Sequence, residues 1–334
     1  MSAHANDTPP ESDAAPSGAP RNRLLLTIGL LLVIAAGVVL RIWRLGELPY
    51  GLYHDEAYYG LDALGVLHGH HALYFPANNG REPLFIYVMA GTIALFGQNV
   101  LGVRAAGALF GLLTIPAAWL LGATWANRRA GLIAAAVLAV TLWHVHLSRI
   151  GFRAVSLGLF VALALGLAAA GLRRRDRRLL LSAGIAYGLS FYTYLAARFT
   201  PLSLIVFLAY GWLAHRGWLR AHWRDLLMIA VPAGLVGLPL LILTITQPEL
   251  VLGRGGQVGI WNPAINGGDP LGMLAGNVLK ALGMFVWRGD WIWRHNVPYR
   301  PVFDPLLGTV FLAGVVLAVL RPRHRAALTL ALLW

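Results

Sequence analysis

Long apolar runs constrain this chain more than any other feature of its sequence. A membrane-crossing helix needs about 20 apolar residues, and eight runs come close to or reach that length: Leu24–Trp43, Leu101–Trp125, Ala130–Leu147, Ala154–Leu172, Leu179–Ala197, Phe199–Leu213, Leu226–Thr246 and Val302–Leu320. A further run starts at Ala326 and reaches Trp334. Apolar residues make up 58% of the chain and charged residues 12%. These runs predict an all-α, polytopic membrane bundle, because helices satisfy their own backbone hydrogen bonds in lipid.

The basic residues predict how the runs are oriented. The net charge is +13, and most of the arginines lie in short segments between apolar runs. Such a pattern is typical of cytoplasmic loops and of contact with anionic lipid, and it argues against a nucleic-acid partner. All the arginine-rich loops fall on one side only if the short apolar run Pro83–Gly97 does not cross. We therefore expect that run to form a re-entrant or interfacial helix.

The ends of the chain carry two further expectations. Residues 1–20 are rich in Ala, Pro, Ser and acids, which predicts a disordered cytoplasmic tail. Residues 21–334 would form one transmembrane domain, and the last apolar run stops at Trp334 as if truncated. In this arrangement the long segments Arg44–Val100 and Gln247–Pro301 face outward. The chain contains no cysteine, so it has no disulfide or thiolate metal site.

An adjacent acidic pair, Asp55 and Glu56, follows the first apolar run in an aromatic setting. The spacing of apolar residues predicts a helix over Glu56–Leu67, with Asp55 at its start. Asp55 then has two interpretations that are compatible with each other. One is that it is an N-cap of this helix; the other is that its carboxylate is placed for chemistry at the membrane surface.

Arg81 and Glu82 precede Pro83 at the entrance to the next short apolar run. One interpretation is a local ion pair that anchors the helix among the lipid headgroups. The other is a substrate site, in which Arg81 binds an anionic group and Glu82 orients a partner. The sequence leaves both open.

Two further segments carry candidate substrate-binding residues. Arg149 and Arg153 are four residues apart and could share a helix face, which suits a phosphate; snorkelling at the membrane edge is the alternative. Arg198 could reach the same cavity as Arg149, and Tyr194 lies beside it in an aromatic belt.

The second long segment is rich in Trp and polar side chains between Trp287 and Asn296. Asp290, His295 and Asn296 would bind a sugar whose rings stack on the Trp faces, and a second aromatic belt is the alternative. The histidines at positions 68, 70, 71, 144 and 146 match no metal-ligand spacing.

Together, these features resemble the GT-C membrane glycosyltransferases, of the type of the protein O-mannosyltransferases and the aminoarabinose transferases of lipid A. The features that carry the resemblance are the outer segment after the first span, the Asp55–Glu56 pair, the Arg81-Glu82-Pro83 step and the arginines after the third span. One departure stands out. The aminoarabinose transferases have an Asp after the third span, where this chain has Arg153, so a metal site that uses this Asp is in doubt.

The resemblance implies a hexosyl- or pentosyltransferase in the cell membrane with its active site on the outer face. The donor would be a polyprenyl-phosphate sugar, and the acceptor a lipid, protein or glycan. Asp55, with Glu56 beside it, would act as catalytic base in an inverting displacement, and arginines would stabilise the departing phosphate. No cofactor is implied with certainty, and a divalent metal remains open. The alternative from the residues is a transporter or flippase for a lipid-linked or anionic substrate.

Overall fold

The computed structural model describes residues 19–214 and 217–320, and these are almost entirely helical. In the described residues the only β-type pairing is an isolated bridge between Phe75 and Arg81. The helices are α1 (Ala19–Ile42), α2 (His54–Leu67), α3 (Leu84–Phe96), α4 (Val100–Trp125), α5 (Arg128–Val140), α6 (Leu142–Arg149), α7 (Ala154–Arg174), α8 (Arg177–Ser190), α9 (Thr200–Ala214), α10 (Trp218–Thr246), α11 (Pro248–Val258), α12 (Pro263–Asn266), α13 (Pro270–Gly283) and α14 (Pro305–Leu320). The predicted all-α class is confirmed.

The described helices include four that are long and apolar enough to cross a membrane, namely α1, α4, α7 and α10. Two bent pairs would raise the number to six if each pair formed one span: α5 with α6, bent by 59°, and α8 with α9, bent by 120°. The helix predicted over Leu179–Ala197 ends early, at Ser190. The hydroxyls of Ser190 and Thr193 donate to nearby backbone carbonyls there, an interaction that competes with helix continuation.

The break between α5 and α6 is held by a buried arginine of α1. Arg41 donates to the carbonyl oxygens of Leu138 at 3.2 Å and Ala139 at 2.9 Å. These carbonyls lie in the last turn of α5, where helical partners are missing. The single span predicted over Ala130–Leu147 is therefore two helices, because another helix supplies donors at the break.

Helix α3, with 13 residues, is shorter than the described helices that are long enough to cross a membrane, which agrees with the prediction that it does not cross. Its first residue, Leu84, donates its N–H to Tyr192 O at 3.0 Å, so it starts beside the turn after α8. Its end leads through Gly97 directly into α4. Both ends of α3 thus lie at one end of the bundle. Phe85 and Met89 are fully buried in the main core, which α3 forms together with α2, α4 and α7.

We call the end of the bundle that carries α2 and α3 the long-loop end. The two long segments meet there, since Asp55 pairs with Arg294 and Tyr74 Oη contacts Val251 O. At the opposite end, Arg173 donates to Trp125 O at 3.4 Å. The two long segments thus share one end, as predicted, and the arginine-rich connections α4–α5 and α7–α8 share the other. Predictions for residues 1–18, Arg216 and residues 321–334 lie outside the described residues, whereas Ala19 and Pro20 already belong to α1.

Candidate functional site

The first turn of α2 sets the position of Asp55. The N–H of Tyr53 donates to Glu56 Oε2 at 2.9 Å, and the helix begins at His54 rather than at Glu56. Asp55 is thus inside the first turn, and its side chain makes no bond to the helix backbone. The N-cap interpretation of Asp55 is therefore wrong.

Asp55 instead accepts hydrogen bonds from two distant parts of the chain. Its Oδ1 accepts from Asn78 Nδ2 at 2.7 Å, and its Oδ2 accepts from Arg294. The Arg294 guanidinium also lies over the Tyr53 ring, 4.5 Å from its centroid. The Asp55 side chain is 15% exposed, and its Oδ1 also lies 3.4 Å from His54 Nδ1. Sequence reasoning missed Asn78 and Arg294 as partners, although it noted the Trp-rich segment that contains Arg294.

Glu56 lies beneath Asp55 and is only 3% exposed. Its Oε1 accepts from Arg104 Nε at 3.1 Å and from the Gly151 N–H at 2.9 Å. The same carboxylate therefore ties α2 to α4 and to the turn between α6 and α7. Glu56 is therefore buried and bound on both sides, and its predicted catalytic role stays a prediction.

Arg81 and Glu82 do not pair with each other, so the local ion-pair interpretation is wrong. Arg81 Nη2 lies 2.7 Å from Asp62 Oδ2, and its guanidinium lies over the rings of Tyr58 and Tyr59, at 5.6 and 5.2 Å. Arg81 is 1% exposed, and its Nε and Nη1 have no hydrogen-bond partner among the described residues. Burial lowers the pKa of Arg81 and raises the pKa of Asp62, while the attraction between the two opposes both shifts.

Glu82 gathers two arginines from separate elements. Arg153, just before α7, and Arg198, just before α9, each donate to one of its carboxylate oxygens. Arg153 also lies over the rings of Tyr194 and Tyr59, at 5.1 and 5.9 Å. Burial acts to lower the pKa of Arg153, but Glu82 and the two tyrosines raise it overall, so the guanidinium stays charged. Its Nε has no hydrogen-bond partner among the described residues.

Arg149 lies apart from this cluster. Helix α6 ends at Arg149 and α7 starts at Ala154, so Arg149 and Arg153 do not share a helix face as predicted. Arg149 donates to the carbonyl oxygens of Leu40 at 2.9 Å and Leu48 at 3.1 Å. Arg198 therefore meets Arg153 at Glu82, and not Arg149.

The Trp-rich segment contributes one face of the site. His295 Nδ1 lies 2.9 Å from Asp290 Oδ2, and the His295 ring is 5.2 Å from the ring of Phe152. Burial acts to raise the pKa of Asp290, but hydrogen bonds from Ile292 N–H and His295 lower it overall. Asn296 is 5% exposed and its amide donates to Arg300 O at 2.6 Å. Asn296 thus braces the loop, and its predicted contact with a sugar stays a prediction.

A large apolar cavity of about 910 Å³ lies beside the arginine cluster. It is lined mainly by α7, α8, α9 and α10, and Arg198 contributes to its lining at the long-loop end. Its lining on α10 extends from Trp218 to Thr244, which at 1.5 Å per residue is about 39 Å. The cavity is therefore long enough to follow the full thickness of a bilayer's hydrocarbon core, about 30 Å.

The described residues contain no group of three or more His, Asp or Glu side chains that could hold a metal ion. The carboxylates at the site face cations instead: Asp55 faces Arg294, Asp62 faces Arg81, and Glu82 faces Arg153 and Arg198. Within residues 19–214 and 217–320, these pairings leave no cluster of free carboxylates for a metal.

Comparison with known proteins identifies the fold. Residues 79–242 match the profile of the family described as dolichyl-phosphate-mannose-protein mannosyltransferase. The oligosaccharyltransferase of Archaeoglobus fulgidus in its apo form is 18% identical, with a TM-score of 0.64 over 93% of this chain and 47% of that one. ArnT of Cupriavidus metallidurans is 17% identical in its apo state, with a TM-score of 0.53 over 95% and 59% of the two chains.

The same ArnT bound to undecaprenyl phosphate is again 17% identical, with a TM-score of 0.51 over 94% of this chain and 59% of that one. The chain thus has the GT-C fold that its sequence resembles, and it spans about half to three-fifths of the length of these structures. A comparison with curated protein sequences returns no match.

Proposed function

We propose that this protein is a membrane glycosyltransferase that moves a sugar from a polyprenyl-phosphate donor to an acceptor. One observation carries the proposal. Arg81 and Arg153 flank the Tyr59 ring and are both buried. Arg81 Nε and Nη1 and Arg153 Nε have no hydrogen-bond partner among the described residues, and the Asp55 carboxylate lies near the same ring. Buried, unsatisfied cationic donors suit an anionic ligand group, and the carboxylate beside them suits proton transfer.

The donor's phosphate would bind to Arg153 and Arg81. Its polyprenyl tail would occupy the long apolar cavity, in which Arg198 lies at the end next to Glu82. A lipid phosphate in place of a nucleotide agrees with the absence of a glycine-rich phosphate loop from the sequence. The ArnT structure with bound undecaprenyl phosphate supports this choice of donor class.

Asp55 would act as the general base. As an acceptor hydroxyl or amine forms its bond to the anomeric carbon, Asp55 takes the proton, and the bond from that carbon to the phosphate oxygen breaks with inversion. The negative charge left on the lipid phosphate is stabilised by the arginines. Asn78 and Arg294 hold the Asp55 carboxylate in place. Glu56 supports this arrangement through the α2 backbone, and the exposed Trp291 and Trp293 offer stacking surfaces for a sugar.

The long-loop end would face the outside of the cell membrane, with the arginine-rich loops in the cytoplasm. The proposal covers a hexose or a pentose as the sugar, and a lipid, a protein or a glycan as the acceptor. A transporter for a lipid-linked or anionic substrate is the second candidate, favoured by the two bent helix pairs.

The test uses purified full-length protein in liposomes with a panel of radiolabelled polyprenyl-phosphate sugars and a lysate-derived acceptor fraction. We expect label transfer from one donor, and a loss of about 10²- to 10⁴-fold in Asp55→Asn with donor binding retained. Asp269→Asn is the control, because Asp269 only caps α13 through the Gly272 N–H and Asn can do the same. Full activity in Asp55→Asn would show that Asp55 is not the general base. Movement of the donor across the bilayer without transfer would establish the transporter.

A further inference from the structure

A second cavity, of about 340 Å³, lies between α5, α6 and α14. Its walls are apolar side chains such as Val137, Phe303, Val310 and Phe311, and its volume is at the lower end of the range for ligand pockets, about 300–1000 Å³. It does not share a lining residue with the long cavity that contains Arg198. The glycosyl-transfer proposal makes no use of it.

His144 is the polar side chain that gives this cavity its chemistry. It lines the cavity, is 8% exposed, and its Nδ1 lies 2.8 Å from Arg41 Nη2. A guanidinium can only donate, so Nδ1 must accept, and the ring proton must be on Nε2. The Nε2–H group has no hydrogen-bond partner among the described residues. The Thr141 hydroxyl, also in the lining, already donates its hydrogen bond to Val137 O at 2.6 Å.

The position of His144 is fixed rather than adaptable. Arg41, fully buried, also donates to the two carbonyls at the end of α5, so it holds both the helix break and the imidazole. Ser148 Oγ donates to His144 O at 2.6 Å and secures the next turn of α6. The result is a pre-oriented imidazole donor in a largely apolar cavity, whose lining also includes Trp143, near the long-loop end of the membrane-spanning helices.

We propose that this cavity binds one acyl chain of an ester-linked glycerolipid, with the His144 Nε2–H donating to the ester carbonyl oxygen. An ester carbonyl accepts hydrogen bonds and has no donor of its own, and it lies where the hydrocarbon chain begins. This matches a pre-oriented donor in a largely apolar cavity. A polyprenyl chain offers no acceptor for this donor.

Binding there would act on the segment that reaches Asp55. Phe285, Val302 and Phe303 line the cavity and flank the loop that carries Arg294, and Phe303 N–H donates to Phe285 O at 3.0 Å. A bound acyl chain would pack against the two ends of this loop. The lipid would therefore stabilise the loop from which Arg294 pairs with Asp55.

The experiment measures binding by native mass spectrometry of the purified full-length protein in dodecyl maltoside. The probes are dioctanoylphosphatidylcholine and its ether-linked analogue, which lacks the carbonyls. We expect the ester to bind about three- to tenfold more tightly, the effect of one hydrogen bond. His144→Asn should abolish this difference, because the Asn Oδ1 can still accept from Arg41 but the Nε2–H is gone.

A second variant tests the cavity itself. Ala134→Phe should weaken both probes at least tenfold, since Ala134 lines the cavity, whereas Val140→Phe on the same helix, exposed and outside the lining, should not. Equal affinity of ester and ether for the native protein would overturn the role of His144. Unchanged binding in Ala134→Phe, or preferential binding of a polyprenol, would overturn the site. None of these readouts depends on glycosyl transfer.

Discussion

Glu56 and Arg104 form an ion pair in the protein interior, with Arg104 Nε 3.1 Å from Glu56 Oε1 and both side chains almost fully buried. Arg104 also donates to Pro49 O at 2.7 Å and to Gly51 O, so it anchors the segment that leads into α2. Because Asp55 directly precedes Glu56, this pair fixes the backbone from which the proposed base projects. A buried charge that serves as a brace explains why an acidic pair, rather than one acid, occurs here.

Replacing Glu56 with leucine should destabilise the protein strongly. The Arg104 guanidinium would stay buried without its carboxylate, which costs about 3–5 kcal/mol when one partner of a buried pair is removed. The matched control is Glu47→Leu, which breaks the exposed Arg44–Glu47 pair, where the Glu47 side chain is 61% exposed and such a pair contributes about 0–1 kcal/mol. Thermal unfolding in detergent checks this. Similar shifts in both variants would show that the buried pair does not brace α2.

Gly80→Ala should disrupt the turn that carries Asn78 and Arg81. Gly80 has φ +83°, and a Cβ there would lie 2.3 Å from the Tyr74 hydroxyl oxygen. Gly69→Ala is the control, since Gly69 has φ +92° but open space around its Cβ position. Both variants introduce backbone strain, and only Gly80→Ala adds a collision. We expect a clearly larger fall in melting temperature for Gly80→Ala; equal falls would mean that Tyr74 moves aside without cost.

The sequence predicted the long spans and the non-crossing α3 because both depend on local composition and on the side to which the arginines fall. It failed where side chains interrupt a helix locally, as Ser190 and Thr193 do after α8. It also failed where a side chain from another helix binds the carbonyls at a helix break, as Arg41 of α1 does at the end of α5. Hydropathy alone does not show either interruption.

The candidate site was only partly predictable. The sequence indicated candidate residues close to Asp55 in the chain. It did not indicate Arg294, which is 239 positions away, or Arg104, which lies inside an apolar run. A charged residue in the first turns of an apolar span was the available signal for Arg104, since such residues seldom occur without a partner. Ion-pair partners otherwise depend on how helices pack, and so Glu82 with Arg153 and Arg198 could not be read from spacing.

Acid should loosen the Trp-rich loop through Asp290. The pKa of Asp290 is lower in the folded protein than its ordinary value of about 3.9. The ionised form therefore stabilises the loop above that value, and this stabilisation is lost as the pH falls through the lower folded pKa. Melting temperatures of the native protein and of Asp290→Asn should differ at pH 6 and converge toward pH 3. A constant difference across this range would show that Asp290 acts without its charge.

The proposed orientation can be mapped with single cysteines, because the native chain has none. Cysteines in place of Trp291 and Arg175 lie at the long-loop end and the arginine-rich end, respectively. In intact cells, an impermeant maleimide should label the cysteine at position 291 and spare that at position 175 until the cells are opened. The reverse pattern would place the candidate site in the cytoplasm.

Arg153 and Arg149 should respond differently to substitution, although the sequence treats them alike. Arg153 has a buried Nε without a partner beside Tyr59, whereas the Arg149 guanidinium is bound to the carbonyls of Leu40 and Leu48. Arg153→Ala should weaken polyprenyl-phosphate binding by about 1.5–3 kcal/mol, roughly ten- to hundredfold in Kd, because a charge-assisted hydrogen bond is lost. Arg149→Ala should leave Kd nearly unchanged and lower thermal stability, since it unties α6 from the segment after α1. Calorimetric titration with a short-chain polyprenyl phosphate measures both variants. Arg153→Ala also leaves Glu82 Oε2 without its ion-pair partner, while Oε1 keeps Arg198, so the double variant Arg153→Ala/Glu82→Gln is needed. If the double variant restores the native Kd, the loss came from the half-unpaired Glu82 carboxylate, and Arg153 does not bind the phosphate.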